Sequence, residues 1–229
     1  MPTGFPWNGG SIIIAGAIRE KDAMLKIWGR SSSSNVQKVL WCCAELDIAY
    51  ERTDWGGPFG GNQDPEYLKL NPNGLVPTVI DGDLVMWESN TICRYLAATR
   101  NGERIYPRDP ASRTHVERWM DWQLSVVGGP MGQLLFGLVR STPETRDNAA
   151  IEAARRRAIT AWTIVDDAVQ DQPYLAGAEL SLAEIVLGTQ IYRWYTFAVE
   201  RPAMPKLRAW YDRMSERPGF KTHIEVPIT

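Results

Sequence analysis

Asn71-Pro72-Asn73-Gly74-Leu75-Val76-Pro77-Thr78-Val79-Ile80, running on through Asp81-Gly82-Asp83-Leu84-Val85-Met86-Trp87-Glu88-Ser89-Asn90, decides how the first half of the chain folds. Asn71 to Gly74 is turn chemistry, and Leu75 to Ile80 is a β-branched run with a proline inside it. A central strand rejects proline, because the missing N–H removes a ladder donor. Pro77 therefore belongs at the beginning of a strand, or in a cis peptide that aims the backbone of Val76 outward. Asp81-Gly82-Asp83 turns tightly into Leu84-Val85-Met86, which makes a hairpin. Glu88-Ser89-Asn90 then supplies the cap of a helix running to about Thr99.

Upstream, Leu25 to Trp28 alternates as a short strand and stops at Gly29 and a serine cluster. Val36, Val39, Leu40, Cys43 and Leu46 recur at three- and four-residue steps, the apolar stripe of one helix whose cap lies among Ser31 to Asn35. Ile48 to Trp55 reads as a second strand, Gly56 to Gly61 cannot hold regular structure, and Pro65 to Leu68 offers a helical turn. The order is βαβαββα. Beyond a connector from Asn101 to Asp109 the period is helical only, over Ser112 to about Gly128, Glu144 to Gln170, Ser181 to Val199 and Met204 to Arg217. Pro130, Pro143, Pro173, Pro202 and Pro218 fall in or beside the breaks. Ser181-Leu182-Ala183-Glu184 is a capping box, with Leu180 and Ile185 spaced for a hydrophobic staple. The expected organisation is an N-terminal extension over 1–23, an α/β domain over 24–100, a linker over 101–111 and an all-helical domain over 112–229.

The whole chain of 229 residues is 44% hydrophobic, enough for a real core, and Lys+Arg 25 against Asp+Glu 27 leaves a net charge of -2. No basic field holds a polyphosphate backbone, so nucleic acid is not an expected partner. The longest apolar run, Ile12 to Ile18, is far short of the roughly 20 residues that span a bilayer, and it lacks the flanks of an export signal. No membrane association is expected, and the reading is a cytoplasmic protein. Cys42, Cys43 and Cys93 are odd in number and form no CxxC, which suits a reducing compartment. With only His115 and His223, Ser-His-Asp triads and histidine metal centres have few possible members, and no metal is expected. Such a chain points to chemistry whose reactive group comes from a small molecule.

The βαβαββα unit, the Val76-Pro77 pair before its third strand, the Trp87-Glu88-Ser89-Asn90-Thr91-Ile92-Cys93-Arg94-Tyr95-Leu96 segment and the helical second domain together resemble the cytosolic glutathione S-transferases. The likeness runs from about Met24 to Pro218. Gly29-Arg30-Ser31-Ser32-Ser33-Ser34-Asn35-Val36-Gln37-Lys38-Val39 is similar to the serine-type, theta-like bacterial branch, with neither the Tyr nor the Cys of other classes. The capping box recurs in that family, where Asp is more usual than Glu184. The resemblance implies a glutathione transferase fold: a thioredoxin-like domain binding glutathione, a helical bundle holding a small hydrophobic electrophile, and a homodimer.

Glutathione's thiol, if it behaves like free cysteine with pKa about 8.5, is ionised only to a few per cent at neutral pH. Lowering that pKa by about two units takes roughly 2.7 kcal/mol of selective anion stabilisation. A hydroxyl donor is worth roughly 1.5–3 kcal/mol to a charged acceptor, and a helix N-terminus adds about 0.3–1. A serine ahead of the Val36 helix is therefore rightly placed. The family pattern, counted back from Ile48, implies Ser33 as that serine, with Ser32 as runner-up and Asn35 as an added amide donor. It also implies that the Val76 peptide, turned outward by Pro77, pairs with the cysteinyl backbone in the manner of an added strand. Glu88 would meet the γ-glutamyl ammonium and Ser89 its carboxylate. Lys69 and Arg52 both stand as possible cations for the glycyl carboxylate. Trp122 and Phe136 are the expected lining of the electrophile pocket, whereas Trp162, Trp194 and Trp210 read as packing and Cys42-Cys43 as buried, inert thiols. Peroxide reduction, dehalogenation or disulfide reduction on the same thiolate, and a non-catalytic glutathione-binding module, are the alternatives.

Overall fold

Four short strands form one mixed sheet in the order β2-β1-β3-β4: β1 (Leu25–Trp28), β2 (Tyr50–Thr53), β3 (Thr78–Asp81) and β4 (Leu84–Trp87). The computed structural model describes residues 24–229, so the extension expected over 1–23 lies outside the described residues. β1 runs parallel to β2 and antiparallel to β3, which pairs antiparallel with β4. β2 is shorter than the expected Ile48 to Trp55 because its partner is short: Leu25 faces Tyr50 and Trp28 faces Thr53, and the ladder is then complete. Alternation along β1 buries Leu25 and Ile27 and leaves Lys26 outside.

Between the strands lie α1 (Ser34–Glu45), α2 (Pro65–Leu70) and α3 (Ser89–Thr99). α1 is buried on more than its apolar stripe: Gln37, Lys38, Trp41 and Cys42 are covered as well as Val36, Val39, Leu40 and Cys43. The reason is its place in the middle of the molecule, against α3 on one side and the helical half on the other.

Six helices follow: α4 (Pro110–Trp122), α5 (Gly128–Leu135), α6 (Asn148–Ala168), α7 (Leu182–Thr196), α8 (Pro205–Ser215) and α9 (Pro218–His223). α4 begins before the expected Ser112, because Pro110 takes the first helical position and the Asp109 side chain caps Ser112 N–H at 2.8 Å; the linker expected over 101–111 is shorter by that much. Pro130 does not break the chain's helical course but sits inside α5. A widened π-helical turn, Gln123–Val127, precedes it, and there Gly128 N–H reaches back to the Gln123 carbonyl. Pro218 starts a helix of its own rather than only ending one. α6 and α7 are shorter at both ends than periodicity suggested.

The core is continuous across both halves, with Trp41, Trp162, Trp194 and Trp210 fully or almost fully buried. α7 reaches α1 closely because Gly188 has no side chain: a Cβ there would stand 2.4 Å from the Trp41 ring. Trp41 also meets Phe220 of α9 edge-on, with centroids 5.1 Å apart.

Candidate active site

Ser33 precedes α1 in extended conformation (φ -79°, ψ 122°), and its carbonyl accepts the Gln37 N–H at 2.9 Å. A serine in that position ordinarily turns its oxygen back onto the helix, yet Ser33 makes no side-chain capping bond. Ser33 instead belongs to the lining of a cavity of about 320 Å³ between α1 and the helical half. Ser34 and Asn35 join it from α1; Gln123, Leu124, Gly128, Gly132 and Leu135 line the side formed by the widened turn and α5; Gln190 and Arg193 come from α7, and Arg30 and Arg140 complete the wall.

The other half of the site is built around Asn71. Its buried amide donates to the Leu75 carbonyl (2.8 Å) and to Thr78 Oγ1 (3.2 Å), while its oxygen accepts the Asn73 N–H. Gly74 closes the turn with its N–H on the Asn71 carbonyl, at φ +60°, where a Cβ would stand 2.8 Å from the Asn62 carbonyl. Tyr67 Oη adds a second hydrogen bond to the Leu75 carbonyl at 2.6 Å. The segment so held delivers Val76, whose peptide bond to Pro77 is cis, to the start of β3. Neither Val76 N–H nor its carbonyl has a backbone partner among the described residues. At the start of α3, Glu88 is exposed in a left-handed conformation (φ +70°), and Ser89 is buried with its hydroxyl donating to Asn35 Oδ1 at 3.4 Å. The N-termini of α1 and α3 therefore meet.

Several expected residues stand elsewhere. Ser32 Oγ accepts a hydrogen bond from the Thr229 hydroxyl (2.8 Å), and the Ser32 carbonyl accepts one from Arg193, so Ser32 flanks the cavity without lining it. Arg52 holds Asp54 and the Gly29 carbonyl, and Lys69 pairs with Glu66 on the surface; neither lines the cavity. Trp122 and Phe136 do not line it either. Trp122 packs edge-on against Trp119, and Phe136 is 65% exposed, because the widened turn rotates Gln123, Leu124 and the face Gly128-Gly132-Leu135 toward α1 instead. Cys42 and Cys43 are buried; hydrogen bonding with Cys93 and burial push the Cys42 thiol up from its ordinary pKa, and burial with the neighbouring Cys93 does the same for Cys43.

Two features escaped the sequence reading. Lys38 is fully buried beneath the cavity, its ammonium donating to Gln123 Oε1 (2.7 Å) and Asn90 Oδ1 (3.1 Å), while Asn90 donates to the Met120 carbonyl (2.9 Å). Burial lowers its pKa to about 8, against a partial upward pull from Cys93 and Glu88. The second feature is the arginine set of the cavity wall. Arg193 is only 6% exposed, and burial together with the charges of Arg140 and Arg30 lowers its pKa to about 10. A lysine and an arginine inside largely apolar runs, Val36 to Leu40 and Ile191 to Tyr195, were the available signals.

The family model described as Glutathione S-transferase, N-terminal domain, matches residues 23–98, and that described as Glutathione S-transferase, C-terminal domain, matches residues 148–213. Glutathione S-transferase GstB of Escherichia coli (strain K12) is 36% identical over 208 residues, which cover 90% of this chain and 100% of that protein. Among solved structures, the theta class glutathione S-transferase from the citrus canker pathogen Xanthomonas axonopodis pv. citri with glutathione bound is 44% identical, with TM-score 0.87, covering 91% of this chain and 100% of that one. Its apo form aligns with TM-score 0.79 at 39% identity over the same shares. The chain belongs to the glutathione S-transferase family.

Proposed function

We propose that this chain is a glutathione transferase in which the Ser33 hydroxyl stabilises the thiolate of glutathione and the sulfur then attacks a small electrophile in the cavity between the two halves. The observation that carries this reading is a serine at the head of α1 that lines the cavity and whose hydroxyl is not used to cap its own helix. The thiol proton leaves to solvent, a bond forms from sulfur to the electrophilic atom, and a leaving group, where one is present, departs with its bonding electrons. Ser33 donates a hydrogen bond to the anion, and the positive end of α1 adds to its stabilisation. The tripeptide itself fits the opposite edge. The unpaired Val76 peptide suits its cysteinyl backbone, the exposed carboxylate of Glu88 its ammonium, and Ser89 with the first amides of α3 its γ-glutamyl carboxylate. Asn35, bonded to Ser89, joins the two subsites.

Free, buried thiols suit the cytoplasm. The exposed Leu84, Val85 and Trp87 of edge strand β4 suit a homodimer, which solution mass tests.

Replacing Ser33 by Ala is the deciding experiment. Turnover with a chlorinated nitroarene should fall by roughly tenfold or more while calorimetric glutathione affinity stays within a few-fold, and the pH midpoint of turnover should move upward. An unchanged pH midpoint and rate would remove Ser33 from the chemistry. Glutathione binding without turnover in the wild type would favour a non-catalytic binding module.

A further inference from the structure

We propose that the second substrate of this site is an anion: an electrophile with a small apolar body and a carboxylate, the carboxylate held by Arg193 and Arg140. This rests on the transferase reading above and names the substrate class of that cavity. The cavity wall carries three guanidinium groups, and none of Arg30, Arg140 and Arg193 has an Asp or Glu carboxylate within salt-bridge distance among the described residues. Nine other arginines among the described residues do have such a partner, whereas none of the three that converge on this one cavity does.

The arrangement is also costly as it stands. Arg193 is almost wholly buried, the one hydrogen bond of its guanidinium among the described residues goes to the Ser32 carbonyl at 3.4 Å, and Arg140 and Arg30 repel it. Arg140 lies at the exposed rim and donates to the Thr229 main-chain oxygen at 2.9 Å. Like charges gathered in a partly desolvated cavity are retained at lower cost when an anion occupies it, and a planar fork suits a carboxylate with two parallel hydrogen bonds. The apolar share of the wall is small. Leu124 and Leu135 supply it, and Gly132, with nothing within 4 Å of a Cβ built on it, leaves the room for a compact body beside them. A substrate matching these walls places an aromatic or short aliphatic body on the leucines, its reacting carbon toward Ser33 and its charge toward α7.

The test compares 4-chloro-3-nitrobenzoate with 4-chloro-3-nitrobenzamide at saturating glutathione. In both, sulfur bonds to the ring carbon as chloride leaves with the C–Cl electrons, and each kcat/KM is divided by the uncatalysed rate constant to remove intrinsic reactivity. The wild type should favour the carboxylate. Arg140→Gln and, independently, Arg193→Gln should each cut that carboxylate-over-amide preference by roughly tenfold or more, the effect coming through KM. Arg140 lies at the rim, so its variant keeps the test open if Arg193→Gln does not fold. Equal catalysis of both probes by the wild type, or variants that weaken glutathione binding and leave the preference intact, would overturn the proposal and assign the arginines to glutathione. Conjugation of neither probe by a wild type that binds glutathione would instead overturn the transferase reading, and the proposal with it.

Discussion

Burying an ammonium under an active site has a price that depends on pH, and Lys38 lets it be measured. Its pKa falls from an ordinary value near 10.5 to about 8 in the folded chain, chiefly through desolvation. Below pH 8 both states carry the proton and the full penalty applies. Between pH 8 and about 10.5 the unfolded chain binds more protons than the native one, so this residue's contribution to stability rises with pH. Lys38→Met removes the titration. The difference in unfolding free energy between wild type and variant should therefore shift in favour of the wild type by about 2 kcal/mol from pH 8 to pH 10, read from urea midpoints at each pH. A difference that stays flat across that window would show that the ammonium is solvated or titrates normally. Residue-scale chemistry was only partly legible beforehand. Serines before a helix, the Val76-Pro77 pair and Glu88-Ser89 can be picked out because each carries a local backbone signature. Lys38, Arg140 and Arg193 cannot, because what distinguishes them is a charge gathered at the cavity with no Asp or Glu counter-ion in three dimensions, which no spacing in the chain records.

At the scale of elements the capping box of α7 does more than close a helix. Ser181 Oγ accepts the Ala183 N–H, while the fully buried Glu184 carboxylate accepts from Ser181 N–H (2.9 Å), Ser181 Oγ–H (2.8 Å), Leu175 N–H (2.7 Å) and Trp210 Nε1–H (3.3 Å). The longer Glu, where the family more often has Asp, reaches the preceding loop and α8 together. Burial pushes its pKa up against these donors, yet four donors require an acceptor-only group. Glu184→Gln replaces one acceptor oxygen with a donor and leaves at least one buried N–H unpaired, at about 1–3 kcal/mol. Melting should drop by several degrees at two to four degrees per kcal/mol for a domain of this size. A melting temperature within one degree of wild type would mean that the loop relaxes to water. The box was readable because both its residues lie within four positions. The split of the helix expected over Ser112 to about Gly128 into α4, a widened turn and the start of α5 was not, since a π-turn shifts the helical phase without a breaking residue, and Pro130 sits inside a helix rather than at a break.

For the molecule as a whole the question is what holds the helical half at the right distance from Ser33. α1 begins at the serine and ends at Glu45, and there the Glu45 carboxylate takes a two-pronged ion pair from Arg217, just ahead of α9, with Nε at 2.8 Å and Nη2 at 2.5 Å. Trp41 Nε1 donates to it as well, and Arg104 stands 3.8 Å away. Burial opposes ionisation of Glu45, but the Arg217 hydrogen bonds and charge outweigh it, and the carboxyl stays below its usual pKa. A depressed folded pKa means that the pair's contribution is complete above about pH 4.5 and is lost as pH falls through the folded value. The Glu45 side chain is 7% exposed, so removing Arg217 leaves a buried charge that Arg104 only partly answers. Arg217→Met should cost about 3 kcal/mol at pH 7, and Glu45→Gln should remove part of the wild type's acid sensitivity. The double variant should cost less than the sum of the single ones, with a coupling above about 1 kcal/mol by urea unfolding. Because the pair clamps the far end of the helix that presents Ser33, the loosened single variant should also raise KM for the electrophile more than for glutathione, whose proposed contacts lie mostly on α3 and the Val76 segment. Strict additivity, or an equal rise in both KM values, would show that the packing of Trp41, Gly188 and Phe220 fixes the two halves without this pair.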